Sequence, residues 1–412
     1  MAALLLAVLV GLASTLASLG GVSLLLVLWG GLRTVFPLDA ALAGGALLGA
    51  LARLLAARDR LGMSPLALAG AGLALAWALF AGGDPYRLGL SLAWNMLAPL
   101  VAGGLAGLAT AYGLRGVRLD RPDGEAWELV GLRLLRGAAF MVFVFMVVFP
   151  FWAMVAASLK PRAEFLADPA NLGLPLHVFA EGFLPGLKKM LVGYREVLVT
   201  FKFLRYIGNT AFVATSTMII TLALAVLGAY AVARLEFRGR ALMERAILLT
   251  YMFPAIVLAI PLYTIFTQLG LRDNLLGLIV VYLAQTLPVA LYMLRSYFET
   301  IPASLEEAGL IDGCSRFEVI WRITLPLALP ALASVGLYVF MIAWNEFLFA
   351  FMFLDTPELF TLSRGMVGLN SQEVPRQFLM AGAVIVTVPI MVLFFWFEKY
   401  LVGGLTAGGV KG

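Results

Sequence analysis

The stretch SLEEAGLIDG at residues 304–313, continued by SRFEVIWRITLP at residues 315–326, is the most patterned polar segment of this chain. It is too polar to cross a lipid bilayer. Pro302 suits the first turn of a helix, and Ser304 with Glu307 matches a capping box, in which each of the two residues binds a free backbone N–H group of the other. The sequence therefore predicts that a short helix begins here.

A second short helix is predicted directly after the first. Gly313 fits the residue that ends a helix, and Ser315 with Glu318 offers another capping box. The expected structure is two short helices joined at an elbow. Four residues of the first helix recur at helical spacing and form a face that another protein can approach closely, namely Leu305, Ala308, Gly309 and Asp312. The alternative is an amphipathic helix on the membrane surface, with Glu306 and Glu307 complementing its N-terminus.

The composition of the whole chain is that of a polytopic membrane protein. Of its 412 residues, 62% are hydrophobic and 13% are charged, whereas about 25% of the residues of a soluble domain are charged. A membrane helix needs about 20 apolar residues, so the apolar content limits the chain to about twelve spans. We predict an all-α integral membrane protein.

Several kinds of site are excluded by composition. The single histidine cannot supply a two-histidine zinc site, and the single cysteine cannot form an internal disulfide. No G-x-x-x-x-G-K-[ST] motif occurs, so the chain has no phosphate-binding loop with which to hydrolyse ATP. We therefore expect no cofactor or metal bound by this chain and no enzymatic activity of its own. The net charge of +5 fits basic membrane loops rather than nucleic-acid binding.

Ten apolar blocks suggest membrane spans, and they fall into two groups. Four lie in residues 1–114, an N-terminal module of unknown role in which glycine and alanine let helices approach closely. Six lie in residues 137–412, and the charged stretch at residues 115–136 is predicted to be a cytoplasmic linker. The blocks of the first group are 2–32, 40–55, 65–81 and 88–112. The blocks of the second group are 137–158, 206–233, 246–269, 275–297, 325–354 and 378–402.

The orientation follows from the positive-inside rule. Short basic loops at residues 53–60, 115–136, 234–245 and 295–322 all fall on one side of a ten-span arrangement, which is therefore the cytoplasmic side. The loop at residues 160–205 counts against this orientation, because it is placed outside and yet also has several lysines and arginines. The patterned polar segment is thus predicted to be cytoplasmic.

The patterned polar segment resembles the signature E-A-A-x3-G-x9-I-x-L-P of ABC importer permeases. The matching residues are Glu307, Ala308, Gly309 in the second alanine position, Gly313, Ile323, Leu325 and Pro326. Other stretches are similar to the carbohydrate-uptake branch of that family, and in particular to its maltose-transporter permeases; they lie at residues 150–161, 209–210, 233–240, 344–347 and 404–412. The resemblance covers roughly residues 137–412.

The resemblance implies how such a chain works and with which partners. The loop at residues 299–325 would contain the coupling helix, which sits in a cleft of a cytoplasmic ATPase subunit and transmits its closure to the membrane helices. The implied contact residues are Ser304, Leu305, Glu306, Glu307, Ala308, Gly309, Asp312, Gly313 and Phe317. The tail at residues 401–412 would insert between two ATPase subunits, which bind and hydrolyse ATP with Mg²⁺. The implied contacts of the tail are Thr406, Gly408, Gly409 and Lys411.

Two further sets of residues are candidates for transport itself. Asn345 and Glu346 interrupt the apolar residues 335–354, where an ionised carboxylate costs at least about 2.5 kcal/mol, so they are expected to face protein or water. They either line the translocation path or form a structural hydrogen bond to a neighbouring helix. The resemblance implies that the loop at residues 363–377 reaches into a sugar-binding protein, and a solvated connection is the alternative. The candidate residues of this loop are Gly368, Leu369, Asn370 and Gln372.

We interpret the chain as the permease subunit of a binding-protein-dependent ABC sugar importer in the inner cell membrane. The resemblance implies a second permease subunit, two ATPase subunits and an extracytoplasmic binding protein as partners, and maltose, maltodextrin or trehalose as the kind of sugar. The alternatives are an importer of a different solute, an ion-coupled secondary carrier and a non-transporting membrane scaffold. Because ionisable residues are rare in the spans and no internal duplication is evident, the sequence disfavours a carrier.

Overall fold

The computed structural model describes residues 2–30, 38–58, 65–80, 92–115, 124–169, 171–252, 254–370 and 374–407. Every regular element in these ranges is a helix. The prediction of an all-α protein is therefore confirmed. The chain divides into two compact units, Met1–Val192 and Gly193–Gly412.

The first unit begins with five long helices. They are α1 (Ala2–Gly30), α2 (Leu38–Arg58), α3 (Pro65–Phe80), α4 (Leu92–Gly113) and α5 (Gly124–Ser158). Small residues bring the first four helices together in pairs. A Cβ atom on Gly49 of α2 would lie 2.3 Å from the carbonyl oxygen of Ala7 of α1, and one on Gly72 of α3 would lie 2.0 Å from that of Gly103 of α4. The predicted close approach through small residues is confirmed for these two pairs.

Helix α5 begins at Gly124, inside the stretch predicted to be a linker. Ala126 and Val130 are buried against α1, and Arg133 donates a hydrogen bond from Nη1 to the carbonyl oxygen of Gly113 (3.0 Å) at the end of α4. A cation at this position satisfies carbonyl groups that have no partner within their own helix. From Gly124 onward the charged stretch is thus part of a packed helix, because small apolar residues recur at helical spacing between the charged ones.

Short helices follow α5, and the second unit contains both long and short helices. After α5 come α6 (Arg162–Ala167), a 3₁₀ turn (Leu176–Glu181), α7 (Phe183–Met190) and α8 (Val192–Arg195). The long helices of the second unit are α9 (Phe203–Arg234), α10 (Arg240–Met252), α11 (Ala255–Gln268), α12 (Leu275–Phe298), α16 (Leu329–Asn345) and α19 (Arg376–Ala407). The short ones are α13 (Ala303–Ile311), α14 (Arg316–Val319), α15 (Leu325–Leu327), α17 (Leu348–Phe353) and α18 (Leu362–Leu369). Helices α9, α12 and α16 pack on one another and form the core of the second unit.

Two predicted spans are divided in the structure. The block at residues 246–269 is split at Pro254 into α10 and α11, and the block at residues 325–354 consists of three helices. The segment Arg316–Leu327, which begins before the latter block, meets Leu329–Asn345 at an angle of 81°. Prolines interrupt the backbone hydrogen bonds at this bend. Among the described residues, five helices are long and apolar enough to cross a membrane, or up to six with this bent pair. The count of about ten spans stays a prediction.

Candidate functional site

Helices α13 and α14 form the elbow that the sequence predicts. Helix α13 ends in a Schellman motif, in which the N–H group of Cys314 donates to the carbonyl oxygen of Gly309 (3.0 Å) and that of Gly313 donates to Leu310 (3.1 Å). Gly313 has a φ of 87°, which is a left-handed conformation that glycine adopts without steric cost. The prediction that Gly313 ends the first helix is confirmed.

One of the two predicted capping boxes is present. Ser315 Oγ accepts a hydrogen bond from the N–H group of Glu318 (3.3 Å), and Glu318 Oε2 accepts one from the N–H group of Ser315 (2.9 Å). Ser315 donates two hydrogen bonds to this carboxylate, one from its N–H group and one from Oγ (3.0 Å). They lower the pKa of Glu318, because they favour the ionised carboxylate. The box predicted from Ser304 and Glu307 is wrong. Pro302 is the cap residue of α13, no side chain bonds to this helix end, and Ser304 already lies within the helix.

Glu306 faces the interior of the second unit. It is only 5% exposed, and its carboxylate accepts hydrogen bonds from Arg234 Nε (3.2 Å), Tyr230 Oη (3.2 Å) and Thr324 Oγ1 (3.1 Å). Arg234 also donates from Nη2 to two carbonyl oxygens in residues 298–301, at 2.7 and 2.6 Å. The prediction that Glu306 contacts an ATPase is therefore corrected. A buried carboxylate requires ionic and hydrogen-bonding partners, and Glu306 finds them on α9 and on the turn that precedes α15.

Gly309 also faces inward. A Cβ atom on Gly309 would lie 2.4 Å from Ile323 Cδ1, so α13 packs directly against the π-helical turn at residues 320–324. The prediction that Gly309 belongs to the outward face is wrong, because it lies three residues after Glu306 and hence on the same side of the helix. The other members of that predicted face are exposed, namely Leu305, Ala308 and Asp312.

Large apolar side chains of the elbow are exposed, and we call the exposed side chains of the elbow its outward surface. Ile311 is 85% exposed, and Phe317 and Trp321 are each 60% exposed. The two rings meet edge to face with centroids 6.2 Å apart. Sequence reasoning named Phe317 and missed Ile311 and Trp321, although the spacing of four residues between the two rings was a usable signal. The remaining predicted contact residues are also exposed, namely Ser304, Glu307 and Gly313.

Asn345 and Glu346 lie at the break between α16 and α17 instead of inside one continuous span. Glu346 accepts hydrogen bonds from Tyr282 Oη on α12 (2.6 Å) and from the N–H groups of Phe349 (2.9 Å) and Ala350 (3.1 Å) at the start of α17. Its carboxylate therefore satisfies free helix-end donors and ties α12 to the break. This is the structural hydrogen bond that the sequence offered as one of two interpretations. Asn345 is exposed and bonds to a carbonyl group of its own helix (2.9 Å).

The structure describes only some of the residues predicted to contact the binding protein and of those predicted for the C-terminal tail. Gly368 and Asn370 are exposed at the end of α18, whereas Leu369 is buried and so faces the interior. Gln372 lies outside the described residues. Thr406 belongs to helix α19. The other predicted residues of the tail lie outside the described residues, namely Gly408, Gly409 and Lys411.

Comparisons with known proteins place this geometry in a family. Residues 224–406, which include the elbow, match the family described as binding-protein-dependent transport system inner membrane component. The trehalose/maltose transport system permease protein MalG of Thermococcus litoralis is 38% identical over 284 residues, which are 68% of this chain and 96% of that protein. The inner membrane ABC transporter permease protein YcjP of Escherichia coli is 38% identical over 275 residues, which are 66% of this chain and 94% of that protein.

A solved structure agrees with these relatives. A chain of the crystal structure of a bacterial ABC transporter involved in the import of the acidic polysaccharide alginate superimposes with a TM-score of 0.55 at 25% sequence identity. The match covers 65% of this chain and 96% of that chain. The chain therefore belongs to the family of binding-protein-dependent transport system inner membrane components, the permease subunits of ABC importers.

Proposed function

We propose that this chain is the permease subunit of a sugar importer that is driven by separate ATPase subunits. Relatives that match most of their own length include proteins named for trehalose and maltose transport, and these names support a sugar as the substrate. The proposed complex contains a second permease subunit, two ATPase subunits and an extracytoplasmic binding protein. The elbow and the C-terminus lie in the cytoplasm, which the basic loops on the same side support.

The outward surface of the elbow is the single observation that carries this proposal. Ile311 is exposed on the elbow, and so is the pair of rings of Phe317 and Trp321, whereas Glu306 and Gly309 are buried and attach the elbow to other helices of the second unit. Aromatic residues surrounded by polar ones are typical of the centre of a protein–protein interface. An elbow that docks onto an ATPase subunit through its exposed side chains and is bound to membrane helices through its buried ones is suited to transmit movement between them.

The elbow would act as follows during transport. Binding of ATP closes the ATPase subunits, and the docked elbow moves with them. Because the elbow is bound to α9 through Glu306, the movement reaches the membrane helices, which then open toward the outside and receive the sugar from the binding protein. Hydrolysis of ATP returns the elbow and reopens the path to the cytoplasm.

Other parts of the chain have proposed roles in the same complex. The tail at residues 401–412 contacts the ATPase subunits, and the exposed end of α18, with Gly368 and Asn370, contacts the binding protein. Asn345 is exposed beside the break after α16, and we assign it to the translocation path. Residues 1–114 form an additional membrane module, and the match to the permease of Thermococcus litoralis covers 68% of this chain.

Reconstitution of the complex tests the proposed function. The chain is purified with its partner permease and ATPase subunits, placed in vesicles and supplied with binding protein and labelled maltose, maltodextrin or trehalose. We expect uptake of one of these sugars that requires ATP and is insensitive to ionophores. Uptake that persists without the ATPase subunits and collapses with an ionophore would show a carrier instead.

Two variants separate docking from folding. Phe317→Ala and Trp321→Ala remove exposed rings, so we expect normal assembly of the permease pair and a loss of both ATPase binding and uptake. Leu242→Ala is a matched control, because Leu242 is 73% exposed but lies on α10 and not on the elbow. Normal ATPase binding and normal uptake in both ring variants would contradict the docking role and support the interpretation as a membrane-surface helix.

A further inference from the structure

Helix α9 has polar contacts at both of its ends. At one end, Tyr230 and Arg234 hold Glu306 of the elbow, and we name these three residues with Thr324 the inner joint. At the other end, residues 209 and 210 bind residues 358–362, and we name this set the outer joint. Between residues 209 and 234 the helix is unbroken and about 37 Å long at 1.5 Å per residue. This exceeds the hydrocarbon thickness of about 30 Å, and α9 is one of the helices long and apolar enough to cross a membrane. As a membrane span, α9 would place its two joints on opposite sides of the bilayer.

The outer joint is made of directional hydrogen bonds to backbone groups. Asn209 Nδ2 donates to the carbonyl oxygens of Glu358 (2.9 Å) and Phe360 (3.0 Å). Thr210 is fully buried, and its Oγ1 accepts a hydrogen bond from the N–H group of Leu362 (2.8 Å), the first residue of α18. The start of α18 is thereby fixed to α9.

Helix α18 also lies directly on α9 beyond these hydrogen bonds. A Cβ atom on Gly365 would be 2.4 Å from the ring of Tyr206, so the two helices are in close contact at this point. The side chain of Lys202, just before α9, lies 3.0 Å from the carboxylate of Glu358. Any displacement of α9 along its axis therefore acts directly on residues 358–369.

The inner joint is the main attachment of α13 to α9. Glu306 and Gly309 are the only buried residues of α13, and Gly309 contacts the π-helical turn rather than α9. Glu306 is the residue of α13 that is hydrogen-bonded to α9, through Tyr230 and Arg234. Separating them would leave a charge without its partner inside the protein, which is strongly unfavourable. A displaced α13 therefore takes the end of α9 with it.

We propose that α9 and its two joints couple the elbow to residues 358–369 on the outer side, so that ATP-dependent movement of the elbow repositions α18. This rests on the proposed function, because it takes the elbow as the point where the ATPase acts. In this proposal Asn209, Thr210, Arg234 and Glu306 are positioning residues, which act through the segments that they hold together. The physical basis is a rigid helix whose position is biased from both ends.

A thiol reporter on α18 tests this coupling in the assembled complex. Cys314 is the only cysteine of the chain, so it is replaced by serine, and Val367→Cys then places one thiol at an exposed position of α18. The rate of reaction with a maleimide is measured with and without ATP. We expect the rate to change when ATP binds. An unchanged rate in a complex that shows ATP-driven uptake would overturn the proposal.

Joint variants then show whether α9 transmits the change. Glu306→Gln, Asn209→Ala and Thr210→Val should each reduce the ATP-dependent change in rate at least about fivefold, the lower end of typical coupling between sites, while the ATPase subunits remain bound. Glu244→Gln is a matched control, because Glu244 pairs with Arg240 and Arg295 at 3.1 and 3.2 Å but bonds to neither joint. It should keep the full change.

The outcomes distinguish this inference from the proposed function. Absence of ATP-driven uptake in the unaltered complex contradicts the proposed function. If the complex takes up sugar with ATP but both outer-joint variants keep the full ATP-dependent change in reaction rate, only the inference is overturned. The same holds if Glu244→Gln loses as much of that change as the joint variants do. If Glu306→Gln prevents assembly, Asn209→Ala and Thr210→Val decide the question, because their side chains are remote from the elbow.

Discussion

Glu306 and Glu307 are adjacent and chemically identical, and the structure predicts opposite consequences for their replacement by glutamine. In Glu306→Gln the amide oxygen can accept from Arg234 and Thr324, and the amide nitrogen can donate to Tyr230 Oη, so the shape of the inner joint is kept. The negative charge is lost. Because a hydrogen bond to a charged group is worth about 1.5–3 kcal/mol and a neutral one about 1 kcal/mol, we expect a loss of roughly 1–2 kcal/mol of stability.

Two further variants calibrate this value. Glu306→Ala removes all three hydrogen bonds and leaves the Arg234 guanidinium, whose side chain is only 13% exposed, without its carboxylate, so we expect a loss of roughly 3–5 kcal/mol. Glu307 is exposed, and Glu307→Gln should change stability by no more than about 0.5 kcal/mol. As a proposed ATPase contact, however, Glu307→Gln should lower uptake.

Thermal unfolding of the purified complex measures this order. The midpoint should fall most in Glu306→Ala, less in Glu306→Gln and hardly at all in Glu307→Gln, and uptake at low temperature should be reduced in Glu307→Gln although its midpoint is unchanged. Equal midpoints for the two glutamine variants would contradict this prediction, because the charge of the buried Glu306 would then contribute no more to stability than that of the exposed Glu307.

Three other predictions concern the elbow, the break after α16 and the outer loops. Gly313→Val should destabilise the elbow by about 1–2 kcal/mol, because a residue with a Cβ atom adopts the left-handed conformation only at that cost, whereas Gly313→Asn should be tolerated. Protease cleavage of the elbow measures the difference, and equal cleavage of both variants would contradict this prediction. Glu346→Ala leaves the N–H groups at the start of α17 and Tyr282 Oη without an acceptor, so it should lower the stability of the fold by about 1–3 kcal/mol. The loss is measured as a lower unfolding midpoint. A midpoint shift no larger than that of Tyr282→Phe would argue against the capping of α17 by Glu346. Burial opposes ionisation of Asp273, but hydrogen bonds from Thr356 and Asp355, together with the charge of Arg272, outweigh it and hold the pKa of Asp273 below its ordinary value of 3.8. Since the pKa is lowered in the folded state, its stabilising contribution is present above pH 3.8 and is lost as the pH falls below that value. Asp273 has a φ of 52° and its carboxylate accepts hydrogen bonds from residues 355 and 356, so it holds together the loops before α12 and after α17. Protease cleavage of these loops should therefore rise in acid in the wild type, and the acid step should be missing in Asp273→Asn, because asparagine tolerates the same left-handed backbone. An unaltered acid step in this variant would show that another group is responsible.

The features predicted correctly from the sequence are local ones. Gly313 and the capping box of Ser315 and Glu318 depend on residues within three or four positions of one another, and their backbone requirements are visible in the sequence. The all-α fold likewise follows from apolar blocks of sufficient length. The family signature adds information because its spacing extends over twenty positions, from Glu307 to Pro326.

The features that the sequence did not reveal depend on distant partners. Nothing near Glu306 distinguishes it from Glu307, because its partner Arg234 lies 72 positions earlier in the chain. Glu346 was expected within a continuous span, since its role at the start of α17 depends on Tyr282, which is 64 positions away. Gly309 was assigned to the outward face because small residues suit both a docking surface and close packing, and only the position of Ile323 decides between them.

The central claim is that the outward surface of the elbow docks onto a cytoplasmic ATPase subunit. A photoreactive amino acid at position 317, activated in membranes that contain the whole complex, tests it most directly, with the same group at position 367 of α18 as the control. We expect position 317 to cross-link to the ATPase subunit and position 367 not to do so. Cross-links from position 317 to lipid or to the extracytoplasmic binding protein, and none to the ATPase subunit, would contradict it.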